Sequence, residues 1–408
     1  MNRPRNDRLR VLVLTNLFPP LFLGGYEILC GQVAEALERR GHAMTVVTTA
    51  SGPDSGGEPP VSRVFRILRL EREFGEPYRS DLFRRHRVSR RNFRETRALI
   101  DREGPFDVAF AWSQRRMTLG AVLACQDAGI PVVFTFNDLW PEAYAIQGPG
   151  ARPRGLARWL LEQTFARRDT LDAVDLRWCT CISRCLREDL LRAGVPVADA
   201  EVIYQGIPME RFPCKEDPGA IAGHPPRVLY TGQIHPDKGV DVLVEAVRRL
   251  DRRGRPVLCS IVGTGPDPFR IALERQAAEV PGVTLAGRRP PGELPALYRT
   301  HDIFVFPSVW REPFGLTHLE AMASGTPVIS TADGGQGEFL RHGQNAWVVP
   351  ARDPEALADA VDRLVQDDAL RRHLAFEGRR TVEEGFTMTR YVDQLEDLLR
   401  RVCQAAHP

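Results

Sequence analysis

Short runs of apolar and β-branched residues alternate with stretches of helical periodicity along almost the whole chain. That alternation predicts parallel sheets whose strands are joined by crossover helices. In the first half the strand candidates are RVLVLTN, AMTVVTT, VFRILRL, DVAFAWS, PVVFTFN and LRWCTCI. Between the first two, EILCGQVAEALERRG reads as an amphipathic helix closed by Gly41, a residue favoured just past a helix C-terminus. Residues 51–60, SGPDSGGEPP, read as a loop. A second series of strand candidates starts near residue 226: RVLYTG, VLCSIVG, GVTLAG, DIFVFPS, TPVIST and AWVVP. Between the two series, GIPMERFPCKEDPGAIAGHPP is rich in Pro and Gly and has no periodicity, which places a linker there. After Pro354 the pattern is helical nearly to the end. The expected fold class is α/β, with two doubly wound, Rossmann-like domains.

A length of 408 residues exceeds what one hydrophobic core usually supports, in keeping with two domains. With 43% hydrophobic and 26% charged residues, neither disorder nor a fibrous class is indicated. A net charge of +2 makes no general case for nucleic acid as a partner. No apolar run reaches the roughly 18 residues of a spanning helix. The start, MNRPRNDRLRVLVLTNLFPP, puts basic residues before an apolar stretch as a signal peptide does, but lacks a small-residue cleavage site and runs into Pro19-Pro20. A first buried strand is the expectation there, and the cytoplasm the expected location. Of eight cysteines only Cys179, Cys181 and Cys185 cluster, without a CxxC pair or a fourth ligand nearby. Buried reduced thiols are expected, and no metal site.

Ligands of open parallel sheets bind outside the carboxyl ends of the strands. In the second series Gly232, Gly263 and Gly287 follow successive strand candidates, and Pro307-Ser308 follow IFVF. Small or turn-forming residues thus recur at the edge where a ligand would sit. In REPFGLTHLEAMASG a loop carries Glu312, a helix begins near Gly315, and Glu320 lies about 1.5 turns into it. The first amides of that helix, around Phe314 to Thr317, lack intrahelical partners and with the helix dipole suit a phosphate. A carboxylate accepts well from vicinal hydroxyls, so two of them flanking a phosphate cradle describe a sugar–diphosphate–nucleoside. The same spacing also fits an acidic residue before a helix and one solvated helical glutamate. Lys238 is one of only two lysines, with Lys215, in a chain that otherwise uses arginine.

Taken with these residues, the chain resembles the family-four retaining glycosyltransferases of GT-B fold, whose hallmark is the motif E-x-F-G-x4-E. The resemblance extends through PPLFLGGYE, VLYTGQIHPDKGVDVLVEA, GVTLAGRRPPGELPALYRTHDIFVFPS and GGQGEFLRHGQNAWVVPARDPEALADAV. It implies two Rossmann-like domains facing across a cleft: residues 1–210 for a hydroxyl acceptor, 211–385 for a nucleotide-sugar donor, and a last helix in 386–408 returning to the first domain. It implies that Glu312 holds the donor sugar's hydroxyls and Glu320 the ribose. The amides of Phe314, Gly315 and Leu316, with Thr317 beside them, would meet the sugar and diphosphate. Lys238 would neutralise the leaving diphosphate. Gly232, Gly263 and Gly287 would line the donor site, and Gly24 and Gly25 would bring backbone against the diphosphate. A UDP-sugar is the implied first donor, a substrate and not a cofactor. No metal is required where a lysine and helix amides supply the positive field, and no Asp-x-Asp motif is present.

Two positions depart from the family pattern. Gln233 stands where an arginine usually follows the glycine of the phosphate loop, leaving Arg288 or Arg311 to compensate. Asn137 stands where a histidine often contacts the sugar near the reacting centre; it hydrogen-bonds but carries no proton, which bears on which sugar is bound. In FRRHRVSRRNFRETR, Arg87, Arg91 and Arg94 share one helical face, either a solvated face or a weak peripheral contact with anionic lipid. A pyridoxal-dependent phosphorylase is disfavoured because neither lysine is placed for a Schiff base, and a nicotinamide dehydrogenase because the first turn lacks Gly-x-Gly-x-x-Gly. A nucleotide-sugar-binding protein without turnover remains the alternative that Gln233 and Asn137 suggest.

Overall fold

The computed structural model describes residues 8–406 apart from 55, 75, 77–80, 146–169, 219–220 and 222–224. The basic start of the chain, residues 1–7, and part of the linker around 219–224 therefore lie outside the described residues. The chain divides into two compact units: Met1–Tyr204 with Val392–Pro408, and Gln205–Tyr391.

The first unit is built on a seven-stranded sheet. Its strands are β1 (Arg10–Leu14), β2 (Ala43–Thr49), β3 (Val64–Leu68), β4 (Val108–Ala111), β5 (Val132–Phe136), β6 (Cys179–Cys181) and β7 (Glu201–Val202). They lie in the order β3-β2-β1-β4-β5-β6-β7, every pair parallel. Crossovers include α1 (Gly25–Arg39), α2 (Leu82–Glu103), α3 (Gly120–Asp127) and α4 (Arg184–Arg192). The central strands are apolar on both faces because helices cover both, so Val11 to Leu14 and Val108 to Ala111 are all buried. Gly41 has a φ of +95° just past α1, the left-handed turn expected of it. Strand β7 has no counterpart among the sequence candidates: its two residues, Glu201 and Val202, are not an apolar run and neither is buried.

The second unit carries six parallel strands in the order β10-β9-β8-β11-β12-β13. They are β8 (Arg227–Thr231), β9 (Leu258–Val262), β10 (Val283–Gly287), β11 (Ile303–Phe306), β12 (Val328–Ser330) and β13 (Trp347–Val348). Its helices are α5 (Val240–Arg252), α6 (Asp267–Ala278), α7 (Leu294–Thr300), α8 (Leu316–Ala323), α9 (Pro354–Gln366) and α10 (Asp368–Gly385), and α11 (Met388–Ala406) begins in it and passes to the first unit from Val392 on. Each sheet reverses its winding once, between β1 and β4 in the first and between β8 and β11 in the second. Those are the switch points at which open α/β sheets form ligand crevices. Among the described residues no helix is long and apolar enough to cross a membrane. All eight cysteines are free thiols, six of them buried.

The last helix, α11, runs to Ala406. Its later turns belong with the first unit, where they are fixed by charge as well as packing. Leu395, Leu398, Leu399 and Val402 form the buried stripe. Glu396 on the same helix receives Arg40 Nη1 at 2.8 Å and Arg400 Nη2 at 2.8 Å, and His42 Nε2 lies 3.1 Å away. Burial alone would raise the Glu396 carboxyl, but the hydrogen bonds from Arg40, Arg400 and His42 outweigh it and pull the pKa from 4.5 down to about 2. A depressed pKa adds stability that is complete above the unfolded value and lost as pH falls through the folded one. Stability should therefore decline between pH 4.5 and about 2, and urea titrations should show that decline flattened over the same window in Glu396→Gln.

Candidate active site

The carboxyl edge of the second sheet is a ladder of glycine backbone. Gly232 follows β8 and donates its N–H to Val262 O at 3.0 Å; Gly263 follows β9 and donates to Gly287 O at 2.9 Å. A Cβ on Gly263 would lie 1.8 Å from Gly232 O, and its φ of +154° already excludes most side chains. The strand ends thus approach more closely than any other residue permits. Gln233 is exposed beside this edge, and its carbonyl accepts the Tyr230 hydroxyl at 2.7 Å. Arg288 is exposed immediately after Gly287.

Lys238 closes a single 3-10 turn, Pro236–Lys238, that leads into α5. The turn is pinned to the exit of β11. Gly239 takes a φ of +64° and lies so close that a Cβ would sit 2.0 Å from Pro307 O. Val309 N–H bonds Asp237 O at 2.9 Å. The two loops together place Lys238 Nζ 2.7 and 2.8 Å from the two carboxylate oxygens of Glu312. Ser308 Oγ lies 2.6 Å from Glu312 Oε1, and the Lys238 ammonium stands 5.0 Å from the Trp310 ring centroid. Both charged side chains are nearly buried, 15% and 9% exposed. Behind them Gly335 N–H holds Glu312 O at 2.7 Å, so the segment GGQGE fixes the glutamate's backbone.

Gly315 caps α8 with no side-chain hydrogen bond, which leaves the first-turn amides of Leu316 and Thr317 to be met by something else. Phe314 is buried and anchors this end against Phe339 and Phe386, with centroids at 5.4 and 6.0 Å. His318 beneath it is fully buried and bonded to Ser330 Oγ at 2.8 Å. Burial takes its pKa to about 3, so it is neutral and contributes no charge to the cradle. Glu320, half-buried on the same helix, accepts from the Tyr298 hydroxyl at 2.8 Å. Desolvation raises its pKa to about 7, against the Tyr298 bond, which lowers it.

The structure therefore brings Lys238, Glu312, Glu320, the α8 amides and the glycines 232, 263 and 287 together at one edge of one unit. Gly24, Gly25 and Asn137 belong to the other unit. Gly24 caps α1, its N–H bonded to the half-buried Glu27 carboxylate at 2.9 Å, and Gly25 begins that helix. Asn137 follows β5, where its Oδ1 accepts from Thr135 Oγ1 at 3.2 Å while its buried Nδ2 has no partner. Arg87, Arg91 and Arg94 are all exposed on α2. In the sequence Ser308 is a turn residue, and Tyr298 has no assigned role. Ser308 had a signal in its position at a strand end. Tyr298 had none, since its contact spans 22 residues.

Residues 215–381 match the family model of the Glycosyl transferases group 1, and residues 23–211 that of Glycosyltransferase Family 4. A D-inositol 3-phosphate glycosyltransferase of Corynebacterium glutamicum is 35% identical over 59% of this chain, a match that spans 60% of that relative's length. A protein of the same name from Salinispora arenicola is 32% identical over 70% of this chain and 67% of its own. Among solved structures, HepE of Anabaena in complex with UDP-glucose shares the fold with a TM-score of 0.72, at 18% identity, over 97% of this chain and 100% of that one.

Removing one partner of a nearly buried ion pair strands the other charge, at a cost of about 3 kcal/mol. Lys238→Met should lose about that much in urea unfolding, and adding Glu312→Gln in the same chain should restore most of it.

Proposed function

The chain belongs to the family 4, group 1 glycosyltransferases, with their two-sheet GT-B architecture, and from that premise we propose that it transfers a sugar from a UDP-sugar to a hydroxyl acceptor with retention of anomeric configuration. The observation that carries this reading is the Lys238–Glu312 pair set beside the uncapped start of α8, with Glu320 on the same helix. A cation, a set of amide donors and two carboxylates in one place match the charges and hydroxyls of a sugar nucleotide.

In this reading the α8 amides and the glycine edge hold the diphosphate, and Lys238 turns from Glu312 to it as charge develops on the leaving oxygen. Glu312 accepts from hydroxyls of the donor sugar, and Glu320 from those of the ribose. The bond from the anomeric carbon to the phosphate oxygen breaks as the acceptor oxygen approaches on the same face. The departing phosphate oxygen takes the acceptor's proton, and no protein base is required. Positioning and electrostatic stabilisation then account for the rate. The positive field comes from one ammonium and a helix terminus, so turnover should survive a chelator. UDP-glucose in the HepE complex supports UDP as the first nucleotide to try.

Release of UDP and formation of glycoside, followed with UDP-, GDP- and ADP-sugars, tests the reading. Glu312→Ala or Lys238→Ala should each lower turnover by at least about a hundredfold. Near-normal turnover in either variant, an inverted anomeric proton signal in the product, or loss of rate in EDTA would count against it. Asn137→His should reorder preference among sugars on one nucleotide; an unchanged ranking would remove Asn137 from sugar recognition.

A further inference from the structure

Among the described residues no cation holds the carboxylate of Glu320. It is held by a phenol that is itself held by the strand end carrying the glycine edge. Tyr298 on α7 is fully buried. Its ring lies against Phe304 and Phe212, with centroids at 5.6 and 6.2 Å, and its carbonyl receives the Thr326 hydroxyl at 2.7 Å. Its hydroxyl donates to Glu320 Oε2 at 2.8 Å and stands 2.8 Å from Thr231 Oγ1. The phenol has one proton. With that proton committed to Glu320, Thr231 is the donor of the second bond. Thr231 is the last residue of β8, directly before Gly232. A line of hydrogen bonds therefore runs from the phosphate-loop strand through a buried ring to the glutamate.

We propose that Tyr298 is a positioning residue for the donor's ribose: its hydroxyl, oriented by Thr231, fixes the Glu320 carboxylate so that Oε1 faces the nucleoside hydroxyls. This rests on the assignment of Glu320 to the ribose. A carboxylate on a helix has three rotatable bonds, and one strong donor to one oxygen fixes the direction of the other. The same bond favours the ionised form, which is the form that accepts two hydroxyls. No other titratable group acts so directly on Glu320 among the described residues. Glu312 and Lys238 engage each other, His318 turns to Ser330 on β12, and Arg379 of α10 bonds the Ala323 carbonyl.

Tyr298→Phe removes the hydroxyl and keeps the ring. With a UDP-sugar, KM for the donor should rise about tenfold, the scale of one hydrogen bond to a charged group, while kcat changes little. Donor affinity should fall in acid as Glu320 takes up its proton near pH 7. In Tyr298→Phe that acid limb should move to higher pH, because the ionised form has lost its donor. A purely structural role would leave the limb in place. Thr231→Val should move KM and the limb in the same direction by a smaller amount, and it serves if Tyr298→Phe folds poorly. Glu320→Gln separates the two ideas. If the acid limb persists in Glu320→Gln, the ribose assignment itself fails. If the limb disappears there but Tyr298→Phe and Thr231→Val leave both limb and KM unchanged, the assignment stands and the role of Tyr298 is overturned.

Discussion

One ion pair marks where two loops of the second unit are forced together. Lys238 and Glu312 are 74 positions apart, yet both carboxylate oxygens lie within 2.8 Å of the ammonium. Bringing two charges nearly out of water costs more than their attraction usually returns, so such a pair is a poor device for stability. It persists here because the surrounding backbone leaves it no alternative. Gly239 pressed on Pro307, Val309 bonded to Asp237, and Gly335 bonded to Glu312 are the contacts that force the two loops together. Each charge also has a second use. A diphosphate would give the ammonium a stronger partner, and sugar hydroxyls would satisfy the carboxylate. Ligand binding in the proposed reaction is then an exchange of partners, with neither charge stranded at any point.

The two glutamates of the motif illustrate how environment separates identical groups. Glu312 faces a cation and a serine hydroxyl. Glu320 faces a phenol, and desolvation lifts it to about 7. A group poised near neutrality binds hydroxyls well only when something holds its ionised form, which is what the Tyr298 hydroxyl supplies. His318, buried on the same helix, is neutral and adds no charge to its start.

Much of this was legible in the sequence because it is local. The twelve strand candidates appear as strands, since a parallel strand is written in a short run of adjacent residues, here two to seven. Gly232, Gly263 and Gly287 at strand ends, and Gly315 at a helix start, are positions where backbone geometry itself demands the residue. What stayed hidden was what tertiary structure alone creates. Nothing near Tyr298 in LPALYRT points to Glu320 or to Thr231, which lies 67 positions away. Nothing in the C-terminal periodicity shows that Glu396 meets Arg40, 356 positions earlier. The role of Ser308 falls between these cases: its place at a strand end is local, its carboxylate partner is not.

The departure at Gln233 can now be weighed by charge. Lys238 and Glu312 cancel each other's charge, so in the proposed reaction the glycine edge and the α8 amides would supply the net attraction for a phosphate. Gln233 is exposed and adds none. Arg288 follows Gly287, whose carbonyl is fixed by the Gly263 amide at 2.9 Å. Its backbone is therefore tied to the glycine ladder, as that of Arg311 is tied to the Glu312 loop. Both are exposed. A cation moved from inside the loop to its solvent side binds through a screened field. In the proposed reaction the fixed amides would then carry the specificity for a diphosphate.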